Sequence, residues 1–156
     1  MMEVKKMGRE VILGSDHAGF ALKEQLKTHL EARGFSVKDF GVSSLEPASY
    51  VEVAAAVARA VAETEGCFGI LCCGTGIGMS ITANKIPGVR AAACADSYTA
   101  RYTRLHNDAN ILCLGARVLG PGFAEELADV FLGTAFEGGR HAERVGEIGD
   151  IERENK

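Results

Sequence analysis

Short runs of β-forming apolar residues alternate along this chain with longer stretches of helical period. That alternation restricts the fold more than any other feature, because it is what a parallel sheet with helices on both faces requires. The strand-like runs are Glu10–Gly14, Ser36–Phe40, Gly69–Cys73, Arg90–Cys94 and Asn110–Leu114. Between them, Phe20, Leu22, Leu26 and Leu30 keep helical spacing up to Gly34, which stands where a C′ glycine ends a helix. Val53, Val57 and Val61 mark a second helix, and Ile77 to Lys85 a short third that must stop near Pro87. Ser97 is placed to cap a fourth, which ends near Asn107, and Pro121 to open a fifth carrying Phe123, Leu127, Val130 and Phe131. The tail 138–156 reads as a further helix with a thin apolar stripe of Val145, Ile148 and Ile151. The expected fold class is α/β: a doubly wound, five-stranded parallel sheet in a three-layer α/β/α sandwich, plus a C-terminal helix. Ligands of such a sheet sit at the carboxyl ends of its strands.

The 156 residues match the size of one domain, and no linker or repeat interrupts them, so 1–156 is read as a single domain. A net charge of −4 gives no electrostatic footprint for nucleic acid or an anionic membrane. The longest apolar stretch, Val51 to Ala62, contains Glu52 and Arg59 and is far shorter than the ~20 residues of a membrane span. The N-terminal stretch carries Glu3, Lys5 and Lys6 and no apolar signal region, so a cytoplasmic location is expected. Five cysteines without a C-x-x-C pair, four of them inside strand-like runs, fit reduced thiols better than disulfides or a structural metal. His29 is read as solvent-facing on its helix.

Polar residues gather in the loops after the strands: Ser15-Asp16-His17-Ala18-Gly19, Cys73-Gly74-Thr75-Gly76-Ile77-Gly78 and Gly115-Ala116-Arg117. The three alternating glycines are the most informative, since they let successive backbone N–H groups face one concavity at a helix start, an anion hole. The loop lacks the lysine of a P-loop and the third glycine and position of a dinucleotide fingerprint. Cys73 at its mouth is placed where amides and a helix dipole favour a thiolate able to take a proton, although a buried small hydrophobe is the competing reading. Taken singly, His17 and His106 read as capping or surface histidines. Arg140 and Arg144, four residues apart, can point at one phosphate or carboxylate, or simply pair with Glu137, Glu143 or Glu147.

As a set and in this order, the chain resembles the type B ribose-5-phosphate isomerase family, which also contains galactose-6-phosphate isomerase subunits. The motifs are Gly14-Ser15-Asp16-His17-Ala18-Gly19, Cys73-Gly74-Thr75-Gly76-Ile77-Gly78, Ala83-Asn84-Lys85, Arg104-Leu105-His106-Asn107-Asp108, Gly115-Ala116-Arg117-Val118 and Glu137-Gly138-Gly139-Arg140-His141. The resemblance implies a Rossmann-like fold and a cofactor-free, metal-free interconversion of ribose 5-phosphate and ribulose 5-phosphate through a cis-enediolate, as in the pentose phosphate pathway. It implies Cys73 as the base between C1 and C2, Thr75 at the O1/O2 end, and the amides of Gly74, Gly76, Ile77 and Gly78 as oxyanion donors. Asp16 and His106 would open the furanose ring and Asn107 hold a sugar oxygen. His17, Arg117, Arg140 and Arg144 would bind the phosphate end, with Tyr50 beside the substrate. It further implies a homodimer or dimer of dimers whose active sites are shared between subunits.

One departure stands out: many relatives carry Asp-Tyr-Pro where this chain has Ser49-Tyr50-Val51, which bears on the loop's shape and on the sugar. An isomerase of a six-carbon sugar phosphate, such as galactose 6-phosphate or allose 6-phosphate, is the alternative within the same chemistry. A non-catalytic sugar-phosphate sensor is the alternative outside it, although a sensor requires neither Cys73 nor His106.

Overall fold

The computed structural model describes residues 9–155; the charged N-terminal stretch and Lys156 lie outside the described residues. Five parallel strands form one sheet: β1 (Glu10–Ser15), β2 (Ser36–Asp39), β3 (Phe68–Cys73), β4 (Ala91–Ala93) and β5 (Ile111–Gly115). Six helices lie between and after them: α1 (Phe20–Ala32), α2 (Tyr50–Glu63), α3 (Ile77–Ala83), α4 (Ser97–Asn107), α5 (Pro121–Gly133) and α6 (Arg140–Glu154). The strand order β2-β1-β3-β5-β4 reverses direction between β1 and β3. Chain direction therefore opens a crevice between the carboxyl ends of these two strands.

Alternating side chains of the central strands feed two cores. Val11, Leu13, Ile70, Leu112 and Leu114 pack against Leu22, Leu26 and Leu30 of α1 and Leu127 and Phe131 of α5. Ile12, Leu71, Ile111 and Cys113 pack against Val57 and Val61 of α2 and Met79 of α3. Each fully buried aliphatic side chain contributes about 1.5–3 kcal/mol, so these two layers hold the sheet. At the outer strand, the buried Lys23 on α1 donates to Asp39 Oδ1 at 2.9 Å and Oδ2 at 3.1 Å and to the Val42 carbonyl. That contact fastens the start of the loop leading to Tyr50.

The structure moves several expected boundaries. β4 shortens to three residues, and α3 ends at Ala83. Asp96, not Ser97, caps α4, because its carboxylate reaches the Thr99 amide at 2.7 Å and leaves Ser97 as the first helical residue. His29 does not face solvent. It lies between α1 and α5, with Nε2 at 3.0 Å from Asp129 and Nδ1 at 3.5 Å from Glu125, since two acidic residues one turn apart on α5 attract it. The C-terminal helix exists but buries none of its residues, and Ile148 and Ile151 stay 50% and 60% exposed.

Candidate active site

The glycine-rich loop follows β3 because Gly76 adopts φ +82°, a left-handed conformation that turns the chain sharply into α3. In that turn the Gly76 N–H donates to Cys73 Sγ at 3.1 Å, and the Ile77 N–H donates to Thr75 Oγ1 at 3.3 Å. Those two amides already have partners, which leaves Gly74, Thr75 and Gly78 as the loop amides nearest to hand for an external oxyanion. The five cysteines differ sharply in surroundings. Burial pushes the thiols of Cys72, Cys94 and Cys113 upward, and that of Cys67 up to about 11 with a contribution from Glu10. Cys73 faces the opposite side of the sheet from its neighbour Cys72 and alone receives an amide hydrogen bond from the glycine loop.

The loop after β1 lies level with it, because Ser15 is in register with Cys72 and the Asp16 N–H donates to the Cys72 carbonyl at 3.3 Å. Asp16 is buried, and one of its oxygens accepts from the Gly19 amide at 3.0 Å. The Ala48 N–H donates to His17 Nδ1 at 3.2 Å, so a neutral His17 carries its proton on Nε2 and presents a donor outward. Tyr50 lies across the loop so closely that a Cβ on Gly78 would sit 2.6 Å from its ring, which is why position 78 has no side chain. Arg117 folds over Gly74, where an added Cβ would meet its guanidinium at 3.4 Å, and its own N–H donates to the Gly74 carbonyl at 3.0 Å. Asp16, His17, Tyr50, Cys73, Thr75, Gly74, Gly76, Ile77, Gly78 and Arg117 are thus gathered on one rim.

The Ser49-Tyr50-Val51 departure leaves the helix start intact. Ser49 caps α2, accepting from the Glu52 amide at a long 3.5 Å, and serine and aspartate are comparable in this role. Val51 occupies a first-turn position that proline or any other residue fills without losing a hydrogen bond.

His106, Asn107, Arg140 and Arg144 lie at the other end of the sheet. α4 runs back against the strands, and its end leads directly into β5, whose first residue Ile111 is in register with Gly69 while Gly115 is level with Cys73. The two rims are therefore four strand residues, or about 13 Å, apart along the sheet. Arg104, buried beneath this second rim, donates to Asp108 Oδ1 at 2.9 Å and to the carbonyls of Ala109 at 2.7 Å and Thr134 at 3.0 Å. It shapes the turn that carries His106 and Asn107. The His106 ring stacks on His141 at 3.9 Å and 9°, and Tyr102 meets it edge-on. Arg140 begins α6 after two left-handed glycines, Gly138 and Gly139, and Arg144 is one turn later, where it pairs with Glu147 at 3.0 Å. Read from sequence alone, Arg104 and His141 have no role and Glu137 only that of a partner for the arginines; the three-dimensional contacts single all three out.

No described helix is long and apolar enough to cross a membrane. A profile of the Ribose/Galactose Isomerase family matches residues 11–148. The chain is 46% identical over 145 residues to ribose-5-phosphate isomerase B of Escherichia coli K12, covering 93% of this chain and 97% of that protein. The solved ribose-5-phosphate isomerase B of Clostridium thermocellum superposes with a TM-score of 0.92 at 49% identity, over 94% of this chain and 99% of the other. That of Mycoplasma genitalium, solved with bound ribulose-5-phosphate, superposes with a TM-score of 0.91 at 37% identity, over 95% and 99%.

Proposed function

Since the chain belongs to the ribose/galactose isomerase family, we propose that it is an aldose–ketose isomerase interconverting ribose 5-phosphate and ribulose 5-phosphate, with Cys73 as the base. The observation that carries this reading is Cys73 Sγ at the mouth of the glycine loop, hydrogen-bonded to the Gly76 amide and backed by unoccupied loop amides. The reaction needs a positioned base next to a carbonyl and donors where negative charge develops. Asp16 and His106 open the furanose ring. Cys73 then takes the proton from C2, the electron pair moves into the C1–C2 bond, and the former carbonyl oxygen at C1 gains a proton to give the enediol. Its O2 proton leaves as the new carbonyl forms at C2, and Cys73 returns its proton to C1. Thr75 and the amides of Gly74 and Gly78 hold the charged oxygens, and Asn107 a sugar hydroxyl. His17, Arg117, Arg140 and Arg144 hold the phosphate, and Tyr50 closes the side of the pocket.

Because Cys73 and His106 lie at opposite rims of one chain, they can meet on one sugar only if a second copy brings its amino rim to the first copy's carboxyl rim. We therefore read the active unit as a homodimer, or a dimer of dimers, with two shared sites. The exposed Ile148 and Ile151 on a helix that buries nothing support this assembly. All five cysteines are buried free thiols, which fits a reducing compartment such as the cytoplasm. The test is turnover of four-, five- and six-carbon aldose phosphates. Ribose 5-phosphate should give the highest kcat/KM; a higher value for allose 6-phosphate or galactose 6-phosphate would replace the substrate, and no turnover of any would leave only a sensor.

A further inference from the structure

On the amino rim, three side chains converge in a way that isomerisation does not require. His106 lies near the end of α4, His141 is the second residue of α6, and Glu137 stands just before the Gly138–Gly139 turn between them. Their ligand-type atoms all lie within 4.8 Å of one another. His106 Nε2 is 3.8 Å from one oxygen of the Glu137 carboxylate, and His141 Nε2 is 3.9 Å from the other. These gaps are too long for hydrogen bonds. Each imidazole meets a different carboxylate oxygen and the two rings lie parallel. The donors therefore stand wider than the roughly 3.3–3.7 Å that separates donors sharing one tetrahedral ion at about 2.0–2.2 Å from each, and rotation of the partly exposed His106 and Glu137 side chains closes them on it.

A second observation points to a ligand. His141 Nε2 is buried and has no hydrogen-bond partner among the described residues, although the side chain as a whole is 15% exposed. A buried ring nitrogen without a partner is rare enough to need a missing group, and an ion supplies it. The carriers are also fixed in place. The Glu137 N–H donates to the Leu105 carbonyl at 3.0 Å, which ties this segment to α4, and the His141 N–H donates to the Gly138 carbonyl at 3.1 Å. The outer side stays open to water, because the side chains of His106 and Glu137 are 35% and 56% exposed.

Two imidazoles and a carboxylate with an open fourth position are the donor set of three-ligand zinc sites. The same set is too rich in nitrogen for magnesium or calcium, which prefer oxygen ligands. We propose that His106, Glu137 and His141 bind a divalent transition-metal ion of the zinc class, and that the bound ion switches the isomerase off by taking Nε2 of His106 away from the sugar. The ion is an inhibitor, not a cofactor. Its inhibitory effect rests on the ring-opening role given to His106 above.

Titration calorimetry with zinc chloride in a Cys73→Ala background, which removes the loop thiol as a competing ligand, reads the site alone. One ion per chain is expected, with no heat from magnesium. Glu137→Gln, an exposed and isosteric change, and His141→Ala should each weaken binding at least about tenfold, as loss of a ligand or its support does. Unchanged zinc affinity in both variants, or no binding up to about a millimolar zinc, overturns the site. With Cys73 intact, zinc should inhibit isomerisation and a chelator should restore it. Glu137→Gln should remain active and need at least about tenfold more zinc for half-inhibition, in step with its weaker binding. Equal inhibition of Glu137→Gln and wild type overturns the inhibitory role. Zinc bound at the site with activity unchanged overturns that role and the assignment of His106 together. Absent binding combined with an inactive His106→Ala overturns the metal site and leaves that assignment standing.

Discussion

The two rims of the sheet are built by different means. At the carboxyl rim, backbone does the positioning: amides of Gly76, Ile77, Gly19 and Ala48 hold Cys73, Thr75, Asp16 and His17, and two of these four functional residues are buried. At the amino rim, side chains do it. Arg104 shapes the turn, stacked rings orient His106, and Arg140 and Arg144 stand exposed on a helix that buries none of its residues. A rim made of backbone is complete within one chain, whereas a rim of projecting side chains is half of something and awaits a surface to project into.

The sharpest way to break this contrast is to remove the one side chain on which the carboxyl rim's chemistry depends. Cys73→Ala should lower kcat by about 10²–10⁴-fold, the usual scale of general-base catalysis, while leaving sugar-phosphate binding near wild type. Cys72→Ala, one residue away on the other face, should keep most activity. A Cys73→Ala enzyme with more than about a tenth of wild-type kcat would remove Cys73 as the base.

The next effect falls on the amino rim's support. Arg104→Met leaves the carbonyls of Ala109 and Thr134 without their buried donor, which should cost about 2–4 kcal/mol of unfolding free energy in urea. A loss under about 1 kcal/mol would mean that the turn carrying His106 stands without it. Smaller still is the loss of one phosphate-facing arginine. The Arg144–Glu147 pair is exposed and worth little, so Arg144 is free to swing to a ligand. Arg140→Ala and Arg144→Ala should each weaken ribose 5-phosphate binding on the order of tenfold while affecting free ribose far less. An equal loss on both sugars would leave the two arginines as surface residues.

Acid should loosen the carboxyl rim slightly. Burial pushes the Asp39 carboxyl up, but Lys23, the Gly41 amide and Lys27 outweigh it and hold the group below its ordinary 3.8. A carboxylate depressed in the folded state contributes stability above its unfolded value and loses it as pH falls through the folded one. Amide protection in the loop 40–49, taken relative to the intrinsic exchange rate at each pH, should therefore fall below about pH 4, and Lys23→Met should flatten that dependence. Protection that falls equally in both proteins would detach Asp39 from the effect.

The same contrast explains what could be read from sequence. The strands and the glycine loop were legible because backbone-built features leave local marks, such as apolar runs, Gly34 at a helix end and glycines at Gly74, Gly76 and Gly78. Asp96 was passed over for Ser97 because either can cap, and only the distance to the Thr99 amide decides. The position of His29 leaves no local mark, because its partner Asp129 on α5 lies 100 residues further along the chain. Glu137 and His141 carry no spacing signature with His106, since the three meet only when α6 folds back on α4. The separation of Cys73 from His106 leaves no local mark either; it follows from the alternation of strands and helices, because a helix that leads into a parallel strand ends at that strand's amino edge.

The central claim, that the two rims act together only across a subunit boundary, has one direct measurement. Cys73→Ala and His106→Ala, each inactive alone, are unfolded together in equal amounts and refolded. In a two-fold dimer half of the molecules become mixed, and each mixed dimer has one site built from two intact rims, so activity should return to about a quarter of the wild-type value per chain. A mixture as inactive as its parents, with mixed dimers demonstrated by mass, would show that each site is completed within its own chain and would contradict the account.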